Sequence, residues 1–249
     1  MSKASRQRLD QLLFDRGLAE SRTQAQALVL AGKVFLKGQR VDKPGTKLDP
    51  DVELDVRGIR EWVSRGAYKL LGAIEHFEQV ADALQGADCL DVGASTGGFT
   101  DVMLKHGASR VIALDVGYGQ LHERLRQDER VFVMDRTNIR TIPEGKLPFQ
   151  PSVLTVDTAF ISVRKFLPVL YRELVDGGLA VVLVKPQFEV GRENVGKGGV
   201  VRSDEARFAA LDAVRQDAVA LGFQEIGFVE SPISGPKGNR EFLLVLNKP

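Results

Sequence analysis

Residues 90–104, LDVGASTGGFTDVML, run from an apolar strand edge into a string of small residues and then into a helical pattern at Phe99. Three cofactor loops share that outline, and their letters differ. A nucleoside-triphosphate loop needs G-x-x-x-x-G-K-[ST]. Gly93 to Thr100 supplies the frame but places Phe99 where the phosphate-binding lysine belongs. A dinucleotide fingerprint needs G-x-G-x-x-G, and here its second glycine is Ser95, whose Cβ would crowd a pyrophosphate. The remaining option is a small-residue turn beside an acid, suited to a nucleoside without a pyrophosphate, such as S-adenosylmethionine (SAM). Asp91 before the turn and Asp115 at the end of "RVIALD" fit that chemistry. An acid about twenty residues on can accept hydrogen bonds from a ribose diol. A plain tight strand-to-helix turn would account for the loop taken alone.

The two acids belong to a wider pattern. Asp115 follows "RVIAL", Asp135 follows "RVFVM", Asp157 follows "SVLTV" and Lys185 follows "LAVVLV", and with Asp91 each charge closes an apolar run. In open α/β sheets ligands bind beyond the carboxyl ends of the strands, so these are the candidate functional residues. A random surface would not space charges so regularly. Any one of them could still be only a helix N-cap, Asp157 first among them.

The elements that would position them alternate. From Ala67, a helix over 67–83 precedes the strand "CLDVG", a helix over 99–106, "RVIALDV", a helix near 119–127 and "RVFVM". "SVLTVD", a helix over 162–175, "LAVVLVK", a helix over 203–221, "FQEIGFVES" and "EFLLVLN" complete the series. Strands alternating with helices predict an α/β fold, a Rossmann-like, doubly wound and mostly parallel sheet over 67–249. The short Gly/Pro segment between the last two runs predicts an antiparallel hairpin at its edge. The first 60 residues read differently. Leu9, Leu12, Leu13 and Phe14 share a helical face over 8–18, Ser21 is placed as an N-cap, and Gly32 stops a second helix. "KVFLKGQRV", "GTKLDPD" and "VELDV" then alternate as short strands do, giving a small α+β domain at 1–60 and a polar connector at 61–66.

Composition limits the function. The 249 residues, 43% hydrophobic, support one full core and a small extra module. A net charge of +1 hides an asymmetry, +4 over residues 1–66 and −3 over the remainder, so an anionic partner for the N-terminal piece is expected. Cys89 is the sole cysteine, reads as core, and leaves no disulfide framework. No apolar run approaches the roughly 18–20 residues of a membrane helix, and "MSKASRQRLD" has no signal-peptide apolar region. A soluble cytoplasmic protein is expected.

Taken together, "SRGAYKL", "DVGASTGGFTD", "VDTAFIS", "VKPQFE" and "NREFLLVL" resemble the FtsJ-like ribose 2′-O-methyltransferases, and "ALDVGYGQL" narrows the resemblance to their TlyA group. "RLDQLLFDRGLAESRTQAQALV" and "GKVFLKG" resemble the small RNA-binding module named after ribosomal small-subunit protein S-four. The resemblance implies a catalytic set of Lys69 in "AYKL", Asp157 in "VDTAF", Lys185 in "VKPQF" and Glu241 in "NREF". A ribose 2′-hydroxyl is a poor nucleophile that must lose a proton as it attacks the methyl group. Lys185, if neutral, could take that proton, or the four groups could act as a polar clamp that positions the hydroxyl. It further implies that Gly93, Ala94, Ser95, Thr96, Gly97, Gly98 and Phe99 wrap the methionine part of SAM with Asp91 beneath. Asp115 would take the ribose diol and Asp135 the adenine amino group. The loop lacks the proline of the wider family's form, a version that TlyA-like sequences share. In the N-terminal module Arg6, Arg8, Ser21, Arg22, Lys33 and Lys37 are the expected RNA contacts, the cations giving affinity and register rather than sequence choice.

The expectation is therefore a SAM-dependent 2′-O-methyltransferase of ribosomal RNA, acting at cytidine, with no metal. Because the chain stops just after its last strand, the resemblance points to the shorter type, with large-subunit RNA as the expected target. Two other readings stand beside this one. The haemolysin label of TlyA-type proteins suggests a pore, which needs spanning helices or a closed barrel that the sequence does not supply. An RNA-binding assembly factor without catalysis would keep the fold and lose the chemistry.

Overall fold

The computed structural model describes residues 6–19, 21–57, 61–191, 194–235 and 237–249. The chain divides into two compact units, Met1–Glu61 and Trp62–Pro249.

In the first unit β1 (Gln7–Arg8) leads into α1 (Leu9–Asp15), followed by α2 (Arg22–Leu30) and the short strands β2 (Val34–Leu36), β3 (Gln39–Arg40), β4 (Lys47–Leu48) and β5 (Leu54–Val56). Ser21 caps α2, its hydroxyl accepting from the Gln24 N–H at 3.1 Å. Leu9, Leu13, Ala25, Val29 and Val34 form the core of this unit. Phe14, expected on the same face as Leu9, is 43% exposed instead. α1 is only seven residues long, so the face it buries is narrow.

The second unit opens with α3 (Ala67–His76) and α4 (Glu78–Leu84). The single helix expected over 67–83 is broken at Phe77, whose backbone is extended. The sheet then builds through β6 (Asp88–Val92), α5 (Gly98–Lys105), β7 (Arg110–Leu114), α6 (Glu123–Arg126) and β8 (Val131–Met134). After β9 (Val153–Val156) come α7 (Leu167–Glu173), β10 (Leu179–Val184), the one-turn α8 (Pro186–Glu189), α9 (Asp204–Ala220), β11 (Gln224–Glu230) and β12 (Phe242–Asn247). Seven strands lie in the order β11-β12-β10-β9-β6-β7-β8. β6 to β10 are parallel, and β12 runs antiparallel between β10 and β11. Two cores cover the two faces, Val111, Val181 and Val245 on one side and Ile112, Val182 and Leu244 on the other.

The terminal hairpin is present, but β12 is not at the edge. Phe242–Leu246 is buried throughout, whereas β11 is only half-buried. An apolar run with no polar face must be covered on both sides, which places "FLLVL" inside the sheet and leaves the more polar "QEIGFVE" outside. This order positions the site. Val184 pairs with Phe242 across the antiparallel junction, so Glu241, just before β12, and Lys185, just after β10, come out at the same end.

The connector expected at 61–66 is not free chain. Trp62 is 7% exposed within the second unit's core, and the Val63 N–H donates to Asp101 Oδ2 at 3.0 Å. A lone tryptophan in a polar stretch carries no periodicity, which is why its burial was not legible. Among the described residues no helix is long and apolar enough to cross a membrane.

Candidate active site

A cavity of about 620 Å³ lies beyond the carboxyl ends of β6, β7 and β9, within the range of small-molecule sites, about 300–1,000 Å³. Its floor is the turn after β6. Gly93 has φ +84°, and a Cβ there would come within 2.6 Å of the Asp157 carbonyl oxygen, so only glycine permits the two strand ends to approach. Ser95 adopts φ +49°, an uncommon conformation for a residue with a side chain. That turn aims the Ser95 N–H at Asp115 Oδ2, 2.8 Å away.

Asp91 lies under the turn, 1% exposed. Its Oδ2 accepts from the Thr100 N–H at 2.9 Å and the Thr100 hydroxyl at 2.7 Å, and its Oδ1 from the Thr155 hydroxyl at 3.1 Å. Burial pushes the carboxyl up to about 7; the threonine hydrogen bonds pull the other way and do not cancel it. Nothing in the sequence singles out Thr100 and Thr155. They have no motif of their own, and only the fold brings their hydroxyls to the acid.

Asp115 reaches the cavity, accepting from the Ser95 and Gly117 N–H groups at 2.8 and 2.6 Å. A carboxylate has about four acceptor positions, so capacity for a diol remains. Gly93, Ala94, Ser95, Thr96, Gly98 and Phe99 all line the cavity with Asp91. Gly97 does not line it; a Cβ there would strike Leu125 at 2.3 Å. Asp135, expected at the adenine, does not line it either. Arg126 takes Asp135 Oδ2 at 3.0 Å and the Gly119 N–H donates to it at 3.2 Å. Burial raises that carboxyl, but these two donors and the positive charges of Arg126 and Arg136 together outweigh it and hold it below its ordinary range. Thr137, Asn138 and Ile139 line the cavity in its place, and nothing in their types or spacing marks them out. The small-residue cradle, the spare acceptors of Asp115 and the cavity's size fit SAM.

At the other end of the cavity lie Lys69, Asp157 and Lys185, with Glu241 behind them. Lys185 Nζ is 2.5 Å from Asp157 Oδ1 and donates to the Thr158 carbonyl at 2.7 Å. Lys69 Nζ is 3.3 Å from Asp157 Oδ2 and 2.8 Å from Glu241 Oε2. Residues 69, 157, 185 and 241 thus form one chain of alternating charge, two cations against two carboxylates. Lys69, Lys185 and Glu241 are buried, and buried charges persist only when paired in this way.

In the N-terminal unit Arg6, Arg8 and Arg22 line one shallow pocket of about 530 Å³. The buried Asp10 organises it. Arg8 donates to it through Nε at 2.9 Å and an Nη at 2.8 Å, Gln26 at 2.8 Å, and Arg22 approaches to 3.5 Å. Lys33 and Lys37 are exposed but lie outside that pocket, and Ser21 spends its oxygen on the helix cap.

A mostly parallel sheet flanked by helices, with a glycine turn after one central strand and a carboxylate after its neighbour, is the arrangement of a SAM-dependent methyltransferase. The chain belongs to the FtsJ-like methyltransferase family, which matches residues 62–248, and to the TlyA group within it. An S4 domain matches residues 7–54. The 16S/23S rRNA (cytidine-2′-O)-methyltransferase TlyA of Mycobacterium tuberculosis is 46% identical over 98% of this chain and 90% of its own length. Hemolysin A of Brachyspira hyodysenteriae is 40% identical, over 95% and 98%. A solved Streptococcus thermophilus structure carrying a hemolysin label superposes with a TM-score of 0.72 at 44% identity, covering 98% of this chain and 89% of that one.

Proposed function

We propose that the protein methylates a ribose 2′-oxygen of a cytidine in ribosomal RNA, with Lys69, Asp157, Lys185 and Glu241 as its catalytic set. The observation that carries this reading is the Lys–Asp–Lys–Glu chain at the end of the cavity. The rRNA-modifying relative in the TlyA group supports the substrate.

SAM, when bound, supplies an electrophilic methyl group. This chain's residues orient the hydroxyl and handle its proton. Asp157 lies between two lysines, so one carboxylate fixes both amines. Lys185 Nζ, held by Asp157 and the Thr158 carbonyl, has one remaining direction for a substrate, and as the neutral amine it takes the hydroxyl proton. Lys69, bridging Asp157 and Glu241, offsets one of the two carboxylate charges, and the cluster becomes neutral overall once Lys185 has taken the proton. Asp115 binds the ribose of SAM, and the 93–99 turn its methionine portion. Arg6, Arg8 and Arg22 hold RNA phosphates, and an enzyme of ribosomal RNA works in the cytoplasm, where ribosomes are.

Transfer of labelled methyl from SAM to small and large ribosomal subunits lacking native modification, followed by mapping of the nucleotide, tests this. One 2′-O-methylated cytidine is expected, and the subunit that carries it is read directly. Methylation on a base, or none on either subunit, would overturn the reading.

A further inference from the structure

Glu241 is 1% exposed and takes no part in lining the cavity. Lys69 holds its Oε2, while its Oε1 receives the Nε2 of Gln187 at 3.2 Å. The other end of that amide, Gln187 Oε1, is buried with no hydrogen-bond partner among the described residues. An unpaired buried acceptor is destabilising, so its presence requires an explanation. Turning the amide over would set its oxygen against a carboxylate oxygen. The orientation is therefore dictated by Glu241, and the carbonyl goes unpaired as a consequence.

The local fold supports this. Gln187 lies on α8, two residues after Lys185, with Pro186 at the first helical position fixing the turn's entry. The turn's last residue, Glu189, accepts from the Ser162 hydroxyl at 2.6 Å and the Val163 N–H at 2.8 Å, which anchors α8 to the segment after β9. Behind Glu241 the backbone is closed, because a Cβ on Gly235 would lie 2.6 Å from Oε1. Glu241 thus has Lys69 on one oxygen and Gln187 on the other.

Resting on the catalytic reading above, we infer that Gln187 is a positioning residue for methyl transfer. It fixes Glu241, and through Glu241 it fixes Lys69 on Asp157. The charged groups that face this contact are Lys69 from α3, then Asp157 beyond β9 and Lys185 at the end of β10, with Asp91 next to Asp157. Gln187 does not line the cavity, so its effect is expected on rate and not on SAM binding.

The test compares Gln187→Met, Gln187→Glu and Lys185→Ala in the full chain. It measures kcat and KM for ribosomal subunits from pH 6 to 9, and SAM affinity by calorimetry, which also reports folding. Gln187→Met is expected to lower kcat about 10-fold, less than the roughly 10²-fold that a 1 Å misplacement can cost, with SAM affinity unchanged. Gln187→Glu sets a carboxyl against Glu241. Two such groups share a proton, so this variant keeps its donor at low pH and loses activity as pH rises, a slope absent from Gln187→Met. Wild-type kcat in Gln187→Met, or equal losses in both variants with parallel pH profiles, would overturn the inference and leave a space-filling glutamine. Lys185→Ala separates the two levels. If it is inactive while Gln187→Met is normal, only the positioning role fails. If it is fully active, the catalytic reading fails.

Discussion

Each unit of the molecule buries an aspartate near a helix start, and the two are held in opposite ways. Asp10, in the first turn of α1, faces the Arg8 guanidinium in bidentate fashion, and that pairing holds its carboxyl well below the usual range. Asp91, which receives the Thr100 N–H of α5, has only hydroxyl and amide donors, and burial lifts it to about 7. Burial alone therefore does not set a charge; the partners do. The units differ in the same sense elsewhere. Around Asp10 the arginines outnumber the acid, and the excess positive charge faces the surface. At the cavity's end, lysines and carboxylates are matched, and all but the half-buried Asp157 are buried. A surplus of exposed guanidinium groups attracts a polyanion from many directions, whereas a closed, balanced set holds one hydroxyl in one place.

If the balanced set works as a unit, breaking it should cost far more than thinning the surplus. Lys185→Ala is expected to lower methylation by at least about 10²-fold, the lower bound for loss of a general base, with SAM affinity near wild type. Lys185→Arg sharpens the point, because arginine keeps the charge but cannot release its proton. As inactive as the alanine variant, it marks Lys185 as the base; with much of the rate restored, it marks a clamp.

Asp115→Ala removes a single carboxylate from the cofactor end. Calorimetry should show SAM binding weakened by about 1–3 kcal/mol, the scale of charge-assisted hydrogen bonds. Unchanged affinity in the folded variant would remove Asp115 from the site.

The two aspartates make opposite predictions with pH. Folded Asp91 keeps its proton to about 7, whereas an unfolded aspartate releases it near pH 4. The folded C-terminal unit therefore binds more protons across that window, and its stability should fall as pH rises through it. Urea midpoints at pH 5 and 8 should differ less in Asp91→Asn than in wild type. Asp10, depressed by Arg8, contributes stability above about pH 4 that is lost on acidification below it. The N-terminal unit should then weaken only in acid, and a midpoint for that unit that rose on acidification would break the contrast.

The smallest effect belongs to the surplus. Arg22→Ala should leave methylation of saturating RNA intact and reduce the salt slope of RNA binding by about 1, measured by titration at several ionic strengths. A slope equal to that of wild type would remove Arg22 from the RNA surface.

Much of the site could be read from the chain because it is written locally. A strand shows as a run of apolar residues, and a charge closing such a run lies at the sheet's end whatever the strand order. Asp91, Asp115, Asp157 and Lys185 were legible for that reason, and so was the 93–99 turn, whose small residues satisfy a steric demand of the backbone itself. Lys69 and Glu241 were legible only through motifs, since a lysine on a helix and a glutamate before a strand carry no such mark. The tertiary structure alone decided the rest. It inserted β12 beside β10 and so brought Glu241 to Lys69, gave Asp135 to Arg126, and drew Trp62 into the core. It also set Gln187 against Glu241 with its carbonyl unpaired. These outcomes depend on which strands become neighbours and on which donors reach a buried acid first. Residues far apart in the chain settle both, where no local periodicity records the result.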